Sequence, residues 1–177
     1  MSAKATNETE PVSLEQTIFT LAKLMSRDAH EGGLSSGDMA ELRRWRHGET
    51  VPASAWRLLV GIIDSEARLG QEDEERWFAV LSGMAQMAPH PHQRGLESAP
   101  GRVLAAQGYS ENRFLKLIDS HDLAFFEAVA RTCRYLRAKG ATVDWSRFAP
   151  FILARNHHRA DHHRRAMARD YFSHKPQ

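Results

Sequence analysis

The sequence predicts an all-α protein: two small helical bundles joined by a connector rich in proline and histidine. Three observations carry this reading. Apolar residues recur at three- and four-residue spacing along most of the chain. No stretch alternates apolar and polar residues over the length of a strand. The longest break in the helical pattern, PHPHQRGLESAPG at 89–101, falls near the middle. The expected organisation is a disordered tail over 1–12, a helical lobe over 13–88, a mobile connector over 89–100 and a basic helical lobe over 101–177.

The elements follow in order. MSAKATNETEPVS is polar and without period, as a tail is. Leu14, Ile18, Leu21 and Met25 mark a first helix. HEGGLSSG (30–37) is a loop, and Ser36 is placed to cap a short helix with Met39, Leu42 and Trp45 on its inner face. HGETVP breaks the chain again, and Pro52 suits the first turn of the next helix. There Trp56, Leu59, Val60, Ile63 and Ala67 read as the buried stripe. The acidic run QEDEE (71–75) opens a longer helix at the positive end of its dipole. Trp77, Phe78, Leu81, Met84, Ala85 and Ala88 point inward from it.

Beyond the connector, a short helix over about 101–107 ends at Gly108. Ser110 caps a helix that buries Phe114, Leu117 and Ile118. The next helix turns Leu123, Phe126, Val129, Ala130, Cys133 and Leu136 inward. Gly140 stops it. Asp144 caps a helix bearing Trp145, Phe148 and Ile152, where Pro150 would start or kink a turn, and 158–172 form the last helix, with Met167, Ala168 and Tyr171 inward.

Composition bounds the function. No apolar run approaches the roughly 20 residues of a membrane span, so no membrane partner is expected. One cysteine, Cys133, excludes an internal disulfide, fits a cytoplasmic setting and sits on an apolar stripe, where it reads as core. The net charge of +2 conceals an asymmetry. Residues 1–100 carry 10 Lys/Arg against 15 Asp/Glu, whereas residues 101–177 carry 14 against 7. The basic half is mostly arginine, whose planar fork matches phosphate oxygens. It points toward a polyanion.

The search for chemistry is short. No phosphate loop, dinucleotide fingerprint, nucleophile elbow or zinc protease motif occurs. HHRADHH (157–163) places His158 and His162 four residues apart on one helix, with Asp161 nearby. A metal would need further ligands from another helix, and no Glu-x-x-His motif supplies them. The histidines read as a solvated face with partial charge at low pH. His90 and His92 read as surface residues, Asp144–Trp145 as a cap beside a packing residue, and Glu111 as support for a helix start. No catalytic residue, metal or cofactor is expected.

Three motifs stand in order. GDMAELRRW (37–45) follows a glycine-containing loop. GRVLAAQGYSENRFLKLI (101–118) has the cadence G-R-x-L-A-x-x-G followed by a Ser-Glu-x-Arg helix start. TVDW (142–145) opens the basic C-terminal region. This set resembles the CasB family, the small subunit of the type I-E CRISPR Cascade complex, from about residue 35 to the end. ARNHHRADHHRRA (154–166) departs from the family pattern in its length and its histidines.

The resemblance implies an all-helical, non-catalytic subunit in antiviral defence. Two copies would line the inner face of a crescent made by the backbone subunits and the crRNA, alongside the large subunit. They would steady the crRNA–target heteroduplex and the displaced strand of the target DNA in the R-loop. The resemblance assigns nucleic-acid contacts to Arg43, Arg44, Arg102 and Arg113. Local charge density and helical spacing add Arg131, Arg134, Arg155 and Arg159. Trp45 and Tyr109 are possible stacking platforms, with core packing preferred for Trp45. Two other classes stay open: a free-standing helical DNA-binding regulator using 36–60 as a helix-turn-helix, and a metal-binding helical bundle.

Overall fold

A computed structural model describes residues 13–26, 31–64, 68–154 and 157–175, the side chain of His157 excepted. The expected tail at 1–12, Ala67 and Arg155 lie outside the described residues. Everything described is helix, turn or loop, with one isolated parallel bridge between His92 and Val143. The helices are α1 (Leu14–Ser26), α2 (Ser36–Arg44), α3 (Ala53–Leu58), α4 (Gln71–Met87), α5 (Pro100–Ala106), α6 (Glu111–Asp119), α7 (Asp122–Ala138), α8 (Trp145–Leu153) and α9 (His157–His174). None is long and apolar enough to cross a membrane.

Helix α4 is the hub. Its first turn is acidic, at Glu72, Asp73 and Glu74, as the dipole favours. From Trp77 to Met87 it is buried on every side, the mark of a helix surrounded by others. α1, α2, α7 and α8 pack on it. Small residues permit this crowding. A methyl group on Gly83 would lie 2.6 Å from Trp145 Cη2 and 2.9 Å from Cys133 Sγ, so α7 and α8 approach α4 closer than any side chain would allow. Burial pushes the Cys133 thiol up to about 12, and it behaves as a small core hydrophobe.

The buried residues form one continuous cluster that runs from Ile18 on α1 to Tyr171 on α9. The segment 89–100 therefore joins helices that share a core, and it is tied down rather than loose. The Gln93 N–H donates to the Val143 carbonyl (3.1 Å), and the Asp144 N–H to the Ser98 carbonyl (2.7 Å). The Gly95 N–H reaches the Asp144 carboxylate (3.2 Å). His92, expected at the surface, has a side chain only 5% exposed. Its Nδ1 accepts the Trp145 N–H at 3.0 Å. Burial holds its imidazole below the ordinary value, with Asp144 pulling the other way.

Other expectations shift by small rotations. The cap of α2 is Ser35, not Ser36. Its hydroxyl accepts the Asp38 N–H while the Asp38 carboxylate accepts the Ser35 N–H, a reciprocal capping box. The stripe on α3 is Ala55, Leu58 and Leu59, a face set one position earlier than expected, which leaves Trp56 and Val60 exposed, and the helix runs on as a π-helical turn at Leu59–Ile63. Leu123 is exposed, and the inward side of that turn belongs to Phe125 and Phe126. Asp144 caps α8 by accepting the Ser146 N–H (3.0 Å), as expected. Gly108 and Gly140 adopt φ of +73° and +62° where α5 and α7 end.

Candidate nucleic-acid interface

Gly108 reverses the chain after α5 and sends Tyr109 into the protein. The Tyr109 and Thr132 hydroxyls meet at 2.9 Å. Thr132 directs its own proton to the Ala128 carbonyl (2.9 Å), so the Tyr109 phenol is the donor. The Tyr135 hydroxyl donates to the Gln107 carbonyl (2.7 Å), and the Tyr171 hydroxyl to the Tyr109 carbonyl. Phe114 stacks on Tyr171 with centroids 3.9 Å apart. These contacts clamp the turn between α5 and α6 onto α7 and α9.

Above that platform, α6 and α7 leave a cleft of about 490 Å³. Arg113 and Lys116 line it from α6, Arg131 and Arg134 from α7, with Tyr109, Ala128 and Tyr135 beneath. No carboxylate lines it. Arg131 lies 3.7 Å from Glu127, with both side chains more than half exposed. Such a surface pair is worth about 0–1 kcal/mol and yields to a phosphate. Arg113, Lys116 and Arg134 have no ion-pair partner among the described residues. Four cations around one depression, over a rigid hydrogen-bonded floor, make a site for the phosphates of an extended polyanion.

Three of the expected arginines thus converge in one place. The fourth cation, Lys116, was not anticipated, because the site residues were chosen among arginines alone. Its position three residues after Arg113 puts both on one face of α6. The remaining expected arginines lie elsewhere. Arg43 is half-buried, and its Nε donates to the Ala85 carbonyl at 2.9 Å, holding α2 on the end of α4. Arg44 is exposed, with Nε on the Ala40 carbonyl (3.2 Å). Arg102 pairs with Glu97, and its Nε is buried without a partner. Arg159 is exposed on α9.

The stacking candidates are both core. Trp45 is 7% exposed and meets Phe78 edge to face, as preferred from the sequence. Tyr109 is 5% exposed with its edge to Tyr135, so its ring is closed to a base. Glu111 is ion-paired with Lys175 at 2.6 Å. In the histidine-rich helix, Asp161 pairs with Arg165 (2.8 Å). Among the described residues, no three His, Cys, Asp or Glu side chains gather to hold a metal ion. In the 36–60 segment, Arg57 is tied to Asp38.

The family model for the CRISPR-associated protein Cse2 matches residues 38–172. The chain belongs to the Cse2 family. The match takes in most of the first of the three motifs that carried the resemblance and all of the other two. Two solved structures share the Cse2 fold with this chain. One is a chain of the E. coli Cascade bound to a PAM-containing dsDNA target with a 32-nt spacer. It has a TM-score of 0.66 at 20% identity, covering 89% of this chain and 97% of that one. The other is M. ruber CasB, with a TM-score of 0.67 at 17% identity, covering 92% and 94%. At such identities the likeness is one of fold. No curated protein matches the sequence.

Proposed function

We propose that this Cse2-family chain is the small, non-catalytic subunit of a CRISPR RNA-guided surveillance complex of the Cascade type. It steadies the crRNA–target heteroduplex and the displaced DNA strand of the R-loop. Its partners are the crRNA, the target DNA, the backbone and large subunits and a second copy of itself, in the cytoplasm. The observation that carries the reading is the carboxylate-free cleft of Arg113, Lys116, Arg131 and Arg134 in a chain of this family. A relative of the same fold sits in a Cascade bound to DNA.

The chemistry suits the task. A displaced strand has arbitrary sequence, so contacts to base edges would hinder it, whereas phosphate contacts serve every target. Arg44 and Arg159, both exposed, extend the cationic surface beyond the cleft, and contacts from Arg43, Arg102 and Arg155 belong to the same proposal. The subunit contributes no bond-breaking step; it lowers the free energy of the open R-loop by neutralising phosphates.

The test is R-loop lifetime in the assembled complex, with Arg113→Glu and Arg134→Glu introduced together. A charge-assisted hydrogen bond is worth about 1.5–3 kcal/mol, so the lifetime should fall tenfold or more with the complex intact. An unchanged lifetime in an intact complex overturns the reading.

A further inference from the structure

The cationic cleft holds a ring that phosphate contacts leave without a task. Arg131, Tyr135 and Lys139 follow at four-residue spacing along α7, so their side chains share one face of the helix. Lys139 caps α7 with right-handed helical backbone, which carries that face past the last turn. The order along it is cation, ring, cation. Tyr135 is half-buried and lines the cleft. Two contacts fix it in place. Its hydroxyl donates to the Gln107 carbonyl at 2.7 Å, and buried Tyr109 meets it with centroids 4.9 Å apart. Lys139, itself exposed, lays its ammonium over the ring, 5.6 Å from the centroid. A ring that a solvated ammonium reaches has a face toward solvent.

We propose that Tyr135 is a stacking platform for one unpaired DNA base, and that it makes the cleft favour a single strand over a duplex. This rests on the reading of the cleft as a phosphate site and deepens it. An ammonium over an exposed ring gains only about two- to fivefold. A base stacked on an aromatic side chain gains about five- to a hundredfold, so the base displaces Lys139. The released ammonium then stands one turn beyond the ring, as Arg131 stands one turn before it, and both serve phosphates of the same strand. Because Tyr135 is anchored at its hydroxyl and packed against Tyr109, it loses little freedom when a base settles on it.

The preference for an unpaired strand follows from access. In a duplex each base has its faces covered by its neighbours, and turning one out costs both unstacking and unpairing. An unpaired strand offers its faces freely. Stacking also suits a strand of arbitrary sequence, since every base has a π-face.

The full chain is titrated with three labelled DNAs of one mixed sequence: a single strand, the same strand made abasic, and the duplex. Fluorescence anisotropy gives the affinities. The parent should hold the ordinary strand about tenfold more tightly than the abasic one. Tyr135→Leu should lose about tenfold on the ordinary strand and nothing on the abasic one, and its ratio of single-strand to duplex affinity should fall by the same factor. Tyr135→Phe keeps the ring without the hydroxyl and should bind the ordinary strand as the parent does. A second readout needs no binding variant. The chain has three tyrosines, and in the parent labelled with ¹³C at tyrosine the Tyr135 ring signals, identified by their loss in Tyr135→Phe, should move upfield with the ordinary strand and not with the abasic one. An abasic strand held as tightly as the ordinary one, or an equal loss on both strands in Tyr135→Leu, leaves the phosphate cleft standing and overturns the platform. If Tyr135→Leu does not fold, the ring signals decide: an upfield shift confined to the ordinary strand upholds the platform, and its absence ends it. If the parent binds neither strand, the reading of the cleft falls and the platform with it.

Discussion

Gly101 on α5 lies directly against the Met167 carbonyl on α9, so that a methyl group in its place would overlap that oxygen and come within 2.9 Å of Asp170 Cβ. Among the described residues, α5 and α9 are the most closely packed pair of helices. The glycine that opens the G-R-x-L-A-x-x-G cadence is therefore a packing residue. It brings α9 down beside the turn whose Tyr109 underlies the cationic cleft.

Gly101→Ala should destabilise the fold. Overpacking a tight contact costs about 1–3 kcal/mol, more than the roughly 0.8–1 kcal/mol by which alanine favours a helix. A backbone carbonyl cannot step aside as a side-chain tip can. Gly83→Ala should behave alike, pressed between Trp145 and Cys133. Gly61, with open space around it, is the control, and Gly61→Ala should leave the melting temperature unchanged or higher. Thermal unfolding of the three variants checks this. Equal melting temperatures would mean that the helices separate freely at these crossings.

Arg43 should prove structural as well as cationic. Its Nε–H meets the Ala85 carbonyl near the C-terminal end of α4, where unpaired carbonyls need donors. Arg43→Met keeps the aliphatic stem and removes the donor, at about 1.5–3 kcal/mol for a hydrogen bond from a charged group. Arg44→Met, on an exposed side chain bonded only within its own helix, should cost less than about 0.5 kcal/mol. Urea unfolding of the two variants should separate them. Equal losses would contradict the placing of Arg43.

Stability should fall with pH just below neutrality. Burial lowers the folded-state value of His92, and burial with His162 and Arg159 lowers that of His163. The unfolded chain then binds more protons than the folded one below about pH 6.5. The contribution is complete above that value and is lost as pH falls toward the depressed folded values. His92→Asn keeps an acceptor for the Trp145 N–H and does not titrate, so it should flatten the slope. Urea midpoints between pH 5 and 8 test this. A midpoint that rises on acidification would show the sign to be wrong.

The fold was legible in the sequence because its helices are amphipathic with clear punctuation. Met39, Leu42 and Trp45, and likewise Phe114, Leu117 and Ile118, are buried as their spacing demands. Gly108, Gly140 and Asp144 end or start helices where their chemistry predicts. The misplacements have local causes. The buried face of α3 is Ala55, Leu58 and Leu59, and the larger Trp56 and Val60 drew the sequence reading to a face one position over. His92 reads as surface in a proline-rich stretch because its anchor, the Trp145 N–H, lies 53 residues away.

The site was legible only in part. Arg113 comes from α6 and Arg131 and Arg134 from α7, and the sequence reading marked them without showing that they meet. Arg43 and Arg102 fall in motifs, but the structure gives both intramolecular tasks.

The central claim is that the cleft between α6 and α7 holds nucleic acid by its phosphates, without regard to sequence. Its most direct measurement is the salt dependence of single-stranded DNA binding by the full chain and by the Arg113→Glu, Arg134→Glu double variant, on two strands of unrelated sequence. Each lost phosphate contact should flatten the log–log slope by about 0.7. The variant should therefore lose about 1.4 from its slope, equally on both strands. An unchanged slope and affinity, or a loss confined to one sequence, would contradict the account.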